Sequence, residues 1–191
     1  MNEELSFYNS VRDIFPPMTA PSPDILLSRK TIAERIRELG LRITADFKES
    51  DSLCLVPVMD GGMIFAADLM REIPLPLRVI PIKASSYGDG TTSSGTVKLP
   101  GGIPGDIRGC SILIIDDILD TGKTLETLRK ILLDAGAESV RTCVLLRKES
   151  AGHLLADYIG FEIPDRFVIG YGLDLAGVHR NLPDIRVLKE D

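Results

Sequence analysis

Apolar residues recur at Ile32, Ile36, Leu39 and Ile43, spacings of four and three that line one face of a helix. Ser28 stands ahead of them as an N-cap, so the pattern predicts a helix from Ser28 to near Phe47. The run Leu53 to Met59 is short and continuously apolar, which reads as a strand buried on both faces. Asp60-Gly61-Gly62 closes it, and a helical stretch follows from Met63 to about Arg71. Leu77 to Ala84 is strand-like, whereas Ser85 to Gly105 is polar and glycine-rich, as in a functional loop or a hairpin. Ser111 to Ile115 is another buried strand, running into Asp116-Asp117 and the turn before a helix over Lys123 to Ala135. That helix turns Leu125, Leu128, Ile131 and Leu132 inward, and Gly136 suits its C′ position. Val140 to Leu146, Tyr158 to Phe161 and Phe167 to Gly170 supply the remaining strands.

Strand and helix thus alternate, which predicts an α/β fold with a mainly parallel twisted sheet flanked by helices on both faces. In such sheets ligands bind beyond the carboxyl ends of the strands, where the loops starting at Asp60, Asp116 and Lys148 emerge. Residues 1–24 hold Pro16, Pro17, Pro21 and Pro23, which block regular helix and suggest an arm laid over a body formed by 25–191.

Composition narrows the function classes. The chain has 191 residues, 44% hydrophobic and 26% charged, enough to bury a core without disulfide or metal staples. Its formal charge of −6 argues against a nucleic-acid backbone as partner, and no apolar stretch suits a membrane span. Cys54, Cys110 and Cys143 lie in or beside apolar runs without pairing or metal-ligand spacing, and read as buried thiols. With an N-terminus that lacks the features of a secretory signal, they place the protein in the cytoplasm. His153 and His179 have no nucleophile or metal partner at a sensible spacing and read as structural or surface residues.

The chemistry concentrates in Ile114-Ile115-Asp116-Asp117-Ile118-Leu119-Asp120-Thr121-Gly122-Lys123-Thr124. Asp120 to Thr124 form a loop at a helix N-terminus, where unpaired amides and the helix dipole attract an anion such as phosphate. Gly122 permits close backbone approach and the threonine hydroxyls add donors. Asp116 and Asp117 suit ribose hydroxyls, or a cation beside a pyrophosphate, so the whole suggests a sugar phosphate. Gly122-Lys123-Thr124 is not a Walker A ending, because the glycine required five positions earlier is Asp117.

These residues resemble the signature of the type I phosphoribosyltransferases: an apolar strand, two acids, then a Thr-Gly turn into a helix. Asp120 directly before Thr-Gly is similar to the acid of the 6-oxopurine enzymes; adenine and orotate transferases usually carry Ala or Thr there. Leu53 to Leu69, Ser85-Ser86-Tyr87 and Gly160 to Asp174 are also similar to the hypoxanthine transferases. The resemblance implies a small hood lobe, formed mainly by residues of about 158–191 with N-terminal segments. It also implies transfer of a phosphoribosyl group from PRPP to N9 of a 6-oxopurine, hypoxanthine or guanine, with Mg²⁺ as cofactor and a homodimer or homotetramer as the assembly.

Carried over residue by residue, the resemblance makes Asp116 and Asp117 the contacts to ribose hydroxyls and Asp120 to Thr124 (with Thr121, Gly122 and Lys123 between) the 5′-phosphate cradle. Asp120 would relay a proton at purine N7. Lys148 would donate to the 6-oxo group, Phe167 would stack on the base, and Val168 and Leu173 would border it. Asp174 would bind Mg²⁺, with Asp116 and Asp117 near the metal, while Asp60, Gly61 and Arg180 would face pyrophosphate. Ser86 and Tyr87 match a mobile lid, so deleting residues 88–95 is expected to lower kcat far more than it weakens PRPP binding.

One position departs from the family pattern: many members carry Lys where this chain has Asp60 before Gly61-Gly62. An acid there repels pyrophosphate unless Mg²⁺ intervenes or the side chain turns away. The family often has a cis peptide entering this residue, which makes Met59-Asp60 the expected site of one. Two rival readings share the fold: a PRPP-binding regulator without turnover, and a transferase for xanthine.

Overall fold

The computed structural model describes residues 24–83, 85–86, 97–99, 102–154 and 156–188. Ser28 caps the first helix, its hydroxyl accepting from the Thr31 amide at 3.1 Å, and α1 (Arg29–Phe47) ends where the apolar periodicity does. β2 (Leu53–Met59) follows β1 (Asp24–Leu27) and α1, then come α2 (Gly62–Leu69) and a 3₁₀ turn at Met70–Glu72. β7 (Ser111–Leu119), α3 (Lys123–Asp134), β8 (Ser139–Lys148) and β9 (Tyr158–Ile163) build the rest of the main layer.

The main sheet runs β3-β2-β7-β8-β9, all parallel, with β3 (Leu77–Val79) and β4 (Ile82–Lys83) both paired to β2. Alternate strand residues divide the core into two layers. Leu53, Leu55, Leu113 and Ile115 pack on Ile32, Ile36, Leu39 and Ile43 of α1 and on Phe65 and Leu69 of α2. Cys54, Val56, Ile112 and Ile114 pack on Leu125, Leu128 and Leu132 of α3. The three cysteines are buried and free, as their apolar surroundings led one to expect. At the end of α3, Gly136 takes φ +94° and bonds to Leu133 O, while Ala137 bonds to Leu132 O. This is the Schellman arrangement that a glycine at C′ allows.

Several boundaries differ from the sequence pattern. The single strand expected over Leu77 to Ala84 is two strands, because Pro81 has no amide for the ladder after Ile80 bonds to Leu55 O at 2.9 Å; Ala84 lies outside the described residues. β7 continues four residues past Ile115, so Asp116 and Asp117 lie within the strand rather than in the turn. Two short elements of the polar stretch, β5 (Ser85–Ser86) and β6 (Val97–Lys98), pair antiparallel, the hairpin alternative of that reading.

A second, three-stranded antiparallel sheet runs β1-β11-β10, uniting Asp24–Leu27, β11 (Ile185–Val187) and β10 (Val168–Ile169). Neither β1 nor β11 is visible as periodicity, since runs of four and three residues are too short to carry any. β9 pairs with β8 from Cys143↔Tyr158 to Lys148↔Ile163 and so lies in the main sheet, while the C-terminal part of the small sheet begins at Val168. Residues 1–23, and with them nearly all of the proline-rich arm, lie outside the described residues.

Candidate active site

Because the strands are parallel and in close register, with Leu119 beside Arg147, the loops at Asp60, Asp120 and Lys148 leave the same edge of the sheet. The loop after β7 holds Asp120 and Thr121 and enters α3 through Gly122, whose φ of +72° is a left-handed conformation that glycine adopts without steric cost. Asp116, Asp120, Thr121, Gly122 and Thr124 border a concavity of about 90 Å³ at this helix N-terminus. Lys123 is the first residue of the helix and is exposed. The free amides of the first turn, with no side-chain cap, face an anion's natural position.

The acid pair sits deeper. Asp116 is buried, and one of its carboxylate oxygens accepts from the Asp117 amide at 3.0 Å. Burial and the neighbouring Asp117 hold its carboxyl well above the usual carboxylate range. Asp117 is also raised, chiefly by burial, although hydrogen bonds and the Arg180 guanidinium pull the other way. Gly61 lies directly against it: a Cβ on Gly61 would come within 1.8 Å of Asp117 Oδ2. That contact explains why the loop after β2 carries glycine here, since Gly61 itself has an ordinary helical φ of −64°.

The Met59-Asp60 peptide is cis, as expected. Asp60 is exposed and its Oδ2 stands 3.8 Å from Lys83 Nζ on β4, whose register sets Met59 beside Lys83. Lys83 carries no signal in the sequence; only the strand pairing brings it to the site.

Lys148, the last residue of β8, donates to Asp120 Oδ2 at 3.0 Å. Phe167 is 51% exposed. Leu188 N–H bonds to Phe167 O at 3.0 Å, which makes Val168↔Val187 a pair without mutual hydrogen bonds. The N–H and C=O of Val168 therefore point to the open edge of β10, while its side chain is buried. Leu173 is buried, its amide bonded to Gly170 O.

Asp174 is engaged on both oxygens: Oδ1 pairs with Arg180 at 2.6 Å and Oδ2 accepts from the Gly177 amide at 2.7 Å. Arg180 also donates to Gly172 O at 2.5 Å, and Gly172, at φ +103°, lies against Gly61 O. A chain of contacts therefore joins Asp174 through Arg180 and Gly172 to the loop after β2. Among the described residues no cluster of three His, Cys, Asp or Glu is placed to hold a metal, so Asp174, Asp116 and Asp117 do not form one cage. The backbone of Ser86 is in β5; Tyr87 lies outside the described residues. His153 is exposed and His179 half-buried. No described helix is long and apolar enough to cross a membrane.

The family profile described as the phosphoribosyl transferase domain matches residues 23–175. Among curated relatives, a hypoxanthine phosphoribosyltransferase of Haemophilus influenzae is 42% identical over 163 residues, covering 83% of this chain and 91% of the relative. A hypoxanthine-guanine phosphoribosyltransferase of Dictyostelium discoideum is 41% identical over 175 residues, covering 89% and 97%. Among solved structures, the hypoxanthine phosphoribosyl transferase of Trypanosoma cruzi superposes with a TM-score of 0.82 at 37% identity, covering 91% of this chain and 95% of that one. A hypoxanthine-guanine phosphoribosyltransferase of Bacillus anthracis gives 0.81 at 38% identity, covering 87% and 98%.

Proposed function

We propose that this chain, which belongs to the phosphoribosyltransferase family, transfers the phosphoribosyl group of PRPP to N9 of hypoxanthine or guanine, yielding IMP or GMP and pyrophosphate. The observation that carries this reading is the meeting of Lys148 and Asp120 at 3.0 Å on the rim of the anion loop. The two groups are a donor and an acceptor side by side, and O6 and N7 are neighbours on one edge of a 6-oxopurine.

In this reading the 5′-phosphate lies in the loop from Asp120 to Thr124, held by the amides of the first turn of α3. Asp117, packed against Gly61, and Asp116 take the ribose hydroxyls. The base enters between Lys148 and Asp120, so that their mutual contact is exchanged for contacts to O6 and N7. Lys148 gives an N–H to O6, which favours an oxo over an amino substituent and makes adenine a poor substrate. Phe167 stacks on the ring and the Val168 backbone meets its edge. As the C1′–O bond to pyrophosphate breaks and N9–C1′ forms, positive charge left on the imidazole is relieved when the N7 proton passes to Asp120. Burial raises both carboxyls of the pair, so the approach of the cationic ribosyl centre would favour their ionised form.

The donor set suits Mg²⁺, which takes one or two carboxylates together with phosphate oxygens and water rather than a protein cage. Asp174 would hold it, with Asp116 and Asp117 nearby, and bound metal would neutralise charge on departing pyrophosphate. Arg180 and the Gly61 backbone face the same side, and Ser86 with Tyr87 belongs to the lid. We take the chain as an N-terminal arm, 1–24, and a catalytic body, 25–191, working in the cytoplasm as a homodimer or homotetramer; light scattering on a sizing column reads the subunit count.

The test is a panel: the protein with PRPP and Mg²⁺ and each of hypoxanthine, guanine, xanthine, adenine and uracil, following nucleotide formation. Turnover of hypoxanthine or guanine above the other bases supports the assignment. PRPP binding without any product would refute it.

A further inference from the structure

The two halves of the site hang on different sheets. The anion loop and Lys148 are carried by β7 and β8 of the main sheet, whereas Phe167 closes the linker that leads from β9 into β10 of the small one. A base that touches both requires their spacing to be fixed, and neither sheet alone fixes it.

The segment 149–154 lies between them. It begins directly after Lys148 as a 3₁₀ turn at Glu149–Ala151 and is closed by Gly152 N–H to Glu149 O at 3.0 Å and Leu154 N–H to Ala151 O at 2.8 Å. On one side, Ser150 donates twice to Asp165 Oδ1, from its hydroxyl at 2.5 Å and its amide at 3.2 Å. Asp165 sits two residues before Phe167 in a linker tightened by Arg166 N–H to Pro164 O at 2.7 Å. On the other side, the Leu154 side chain covers the anion loop, so close that a Cβ on Gly122 would meet its Cδ1 at 2.9 Å. Leu154 packs with Leu119 and Leu125, which flank that loop.

We propose that residues 149–154 act as a strut between the phosphate loop and the base platform, with Ser150, Asp165 and Leu154 as positioning residues that set where Phe167 stands relative to Lys148. This deepens the transferase reading and rests on it. None of the three side chains needs to touch substrate. Ser150 and Asp165 transmit position through charge-assisted hydrogen bonds, and Leu154 through packing. The strut also has a built-in direction, since Lys148 precedes it in the chain and moves with its first residue.

Steady-state kinetics with hypoxanthine and PRPP test this. Ser150→Ala and Asp165→Asn are expected to raise KM for the base about three- to tenfold, the scale of a lost charge-assisted hydrogen bond at a solvated site, with KM for PRPP within about twofold. Ser150→Thr, which keeps the hydroxyl, should behave as wild type. In the double variant Ser150→Ala/Leu154→Ala the effects on base KM should not add, because a strut cut at one end transmits nothing from the other. Amide exchange supplies a readout independent of turnover: in Ser150→Ala, Phe167 to Ile169 should exchange faster while the interior of β8 keeps its protection. Unchanged base KM in an active Ser150→Ala enzyme, or unchanged exchange at Phe167 to Ile169, would overturn the strut. If the wild-type chain converts no purine, the transferase reading falls instead, and the exchange experiment still decides the strut.

Discussion

Lys148 Nζ lies 3.0 Å from Asp120 Oδ2, an ion pair joining the end of β8 to the loop that leaves β7. The parallel register that sets Leu119 beside Arg147 makes this contact nearly automatic, since each residue is the next one along the chain. Twenty-eight positions apart in sequence, the two arrive together because a βαβ crossover returns the chain to the same sheet edge.

Asp120→Asn should therefore separate chemistry from binding. The amide keeps size and hydrogen-bonding capacity but accepts no proton, so kcat for hypoxanthine should fall by about 10² to 10⁴. KM for PRPP should stay within about threefold, because in the proposed reading the backbone amides of the loop, not the Asp120 side chain, would hold the phosphate. Progress curves at saturating PRPP measure this, and wild-type turnover in the variant would remove Asp120 as the proton acceptor.

Asp60 and Lys83 make a second, weaker pair at 3.8 Å, with side chains 53% and 74% exposed. Such solvated pairs contribute little stability, so their effect on function should come through the field they cast on a pyrophosphate. Asp60→Asn removes one negative charge and should lower KM for PRPP about two- to fourfold at low ionic strength. Lys83→Ala should raise it by a similar factor. Both effects should fade by about 0.5 M salt, where screening acts over a few ångströms. A salt-independent change would mean that the side chains act by contact instead.

Gly61 against Asp117 supplies a steric prediction. A methyl group at Gly61 would sit 1.8 Å from Asp117 Oδ2 and 2.6 Å from its Cγ, and Asp117 is half-buried within β7. Gly61→Ala should destabilise the fold by about 1 to 3 kcal/mol through overpacking and weaken PRPP binding more than tenfold. Adding Asp117→Ala should restore much of the stability, as the clash disappears, without restoring activity. Urea denaturation of the two single variants and the double variant closes the cycle, and simple additivity would show that the contact is not what requires glycine.

How much of this was legible beforehand depended on range. The helix from Ser28 to Phe47, the strand from Leu53 to Met59 and the Schellman end at Gly136 could be read because periodicity, a cap and a C′ glycine are local signals. The turn from Asp120 to Thr124 into a helix could be read for the same reason, since a strand, a polar turn and a helix start are contiguous. By contrast β1 and β11 stabilise each other across more than 150 residues, and three or four residues have too little pattern to announce it. The end of β7 was misplaced because acids usually mark a turn, whereas Asp116 is kept in the strand by its Val144 partner. Lys83, Leu154 and the Ser150 link to Asp165 were invisible for a different reason: each is an ordinary residue type whose role exists only through a neighbour brought in by the sheet.

Tyr158 offers a pH test remote from the site. Its ring is buried under α1, its hydroxyl donates to Asp46 at 2.7 Å, and Arg141 donates to the same hydroxyl at 2.9 Å. Burial, followed by the bond to Asp46, pushes the phenol up to about 12. An unfolded tyrosine ionises near 10, so the unfolded chain gives up this proton first as pH rises. The stabilisation is consequently complete below about pH 10 and is lost as pH climbs through about 12. Tyr158→Phe should be less stable by about 1 to 2 kcal/mol at pH 8, having lost both hydrogen bonds and left Asp46 and Arg141 one partner short. Its stability should also fall less steeply above pH 10, because the titrating group is gone. Urea unfolding of the two proteins between pH 8 and 11.5 should show their curves converging at the alkaline end; parallel curves would mean that Tyr158 ionises as freely in the fold as out of it.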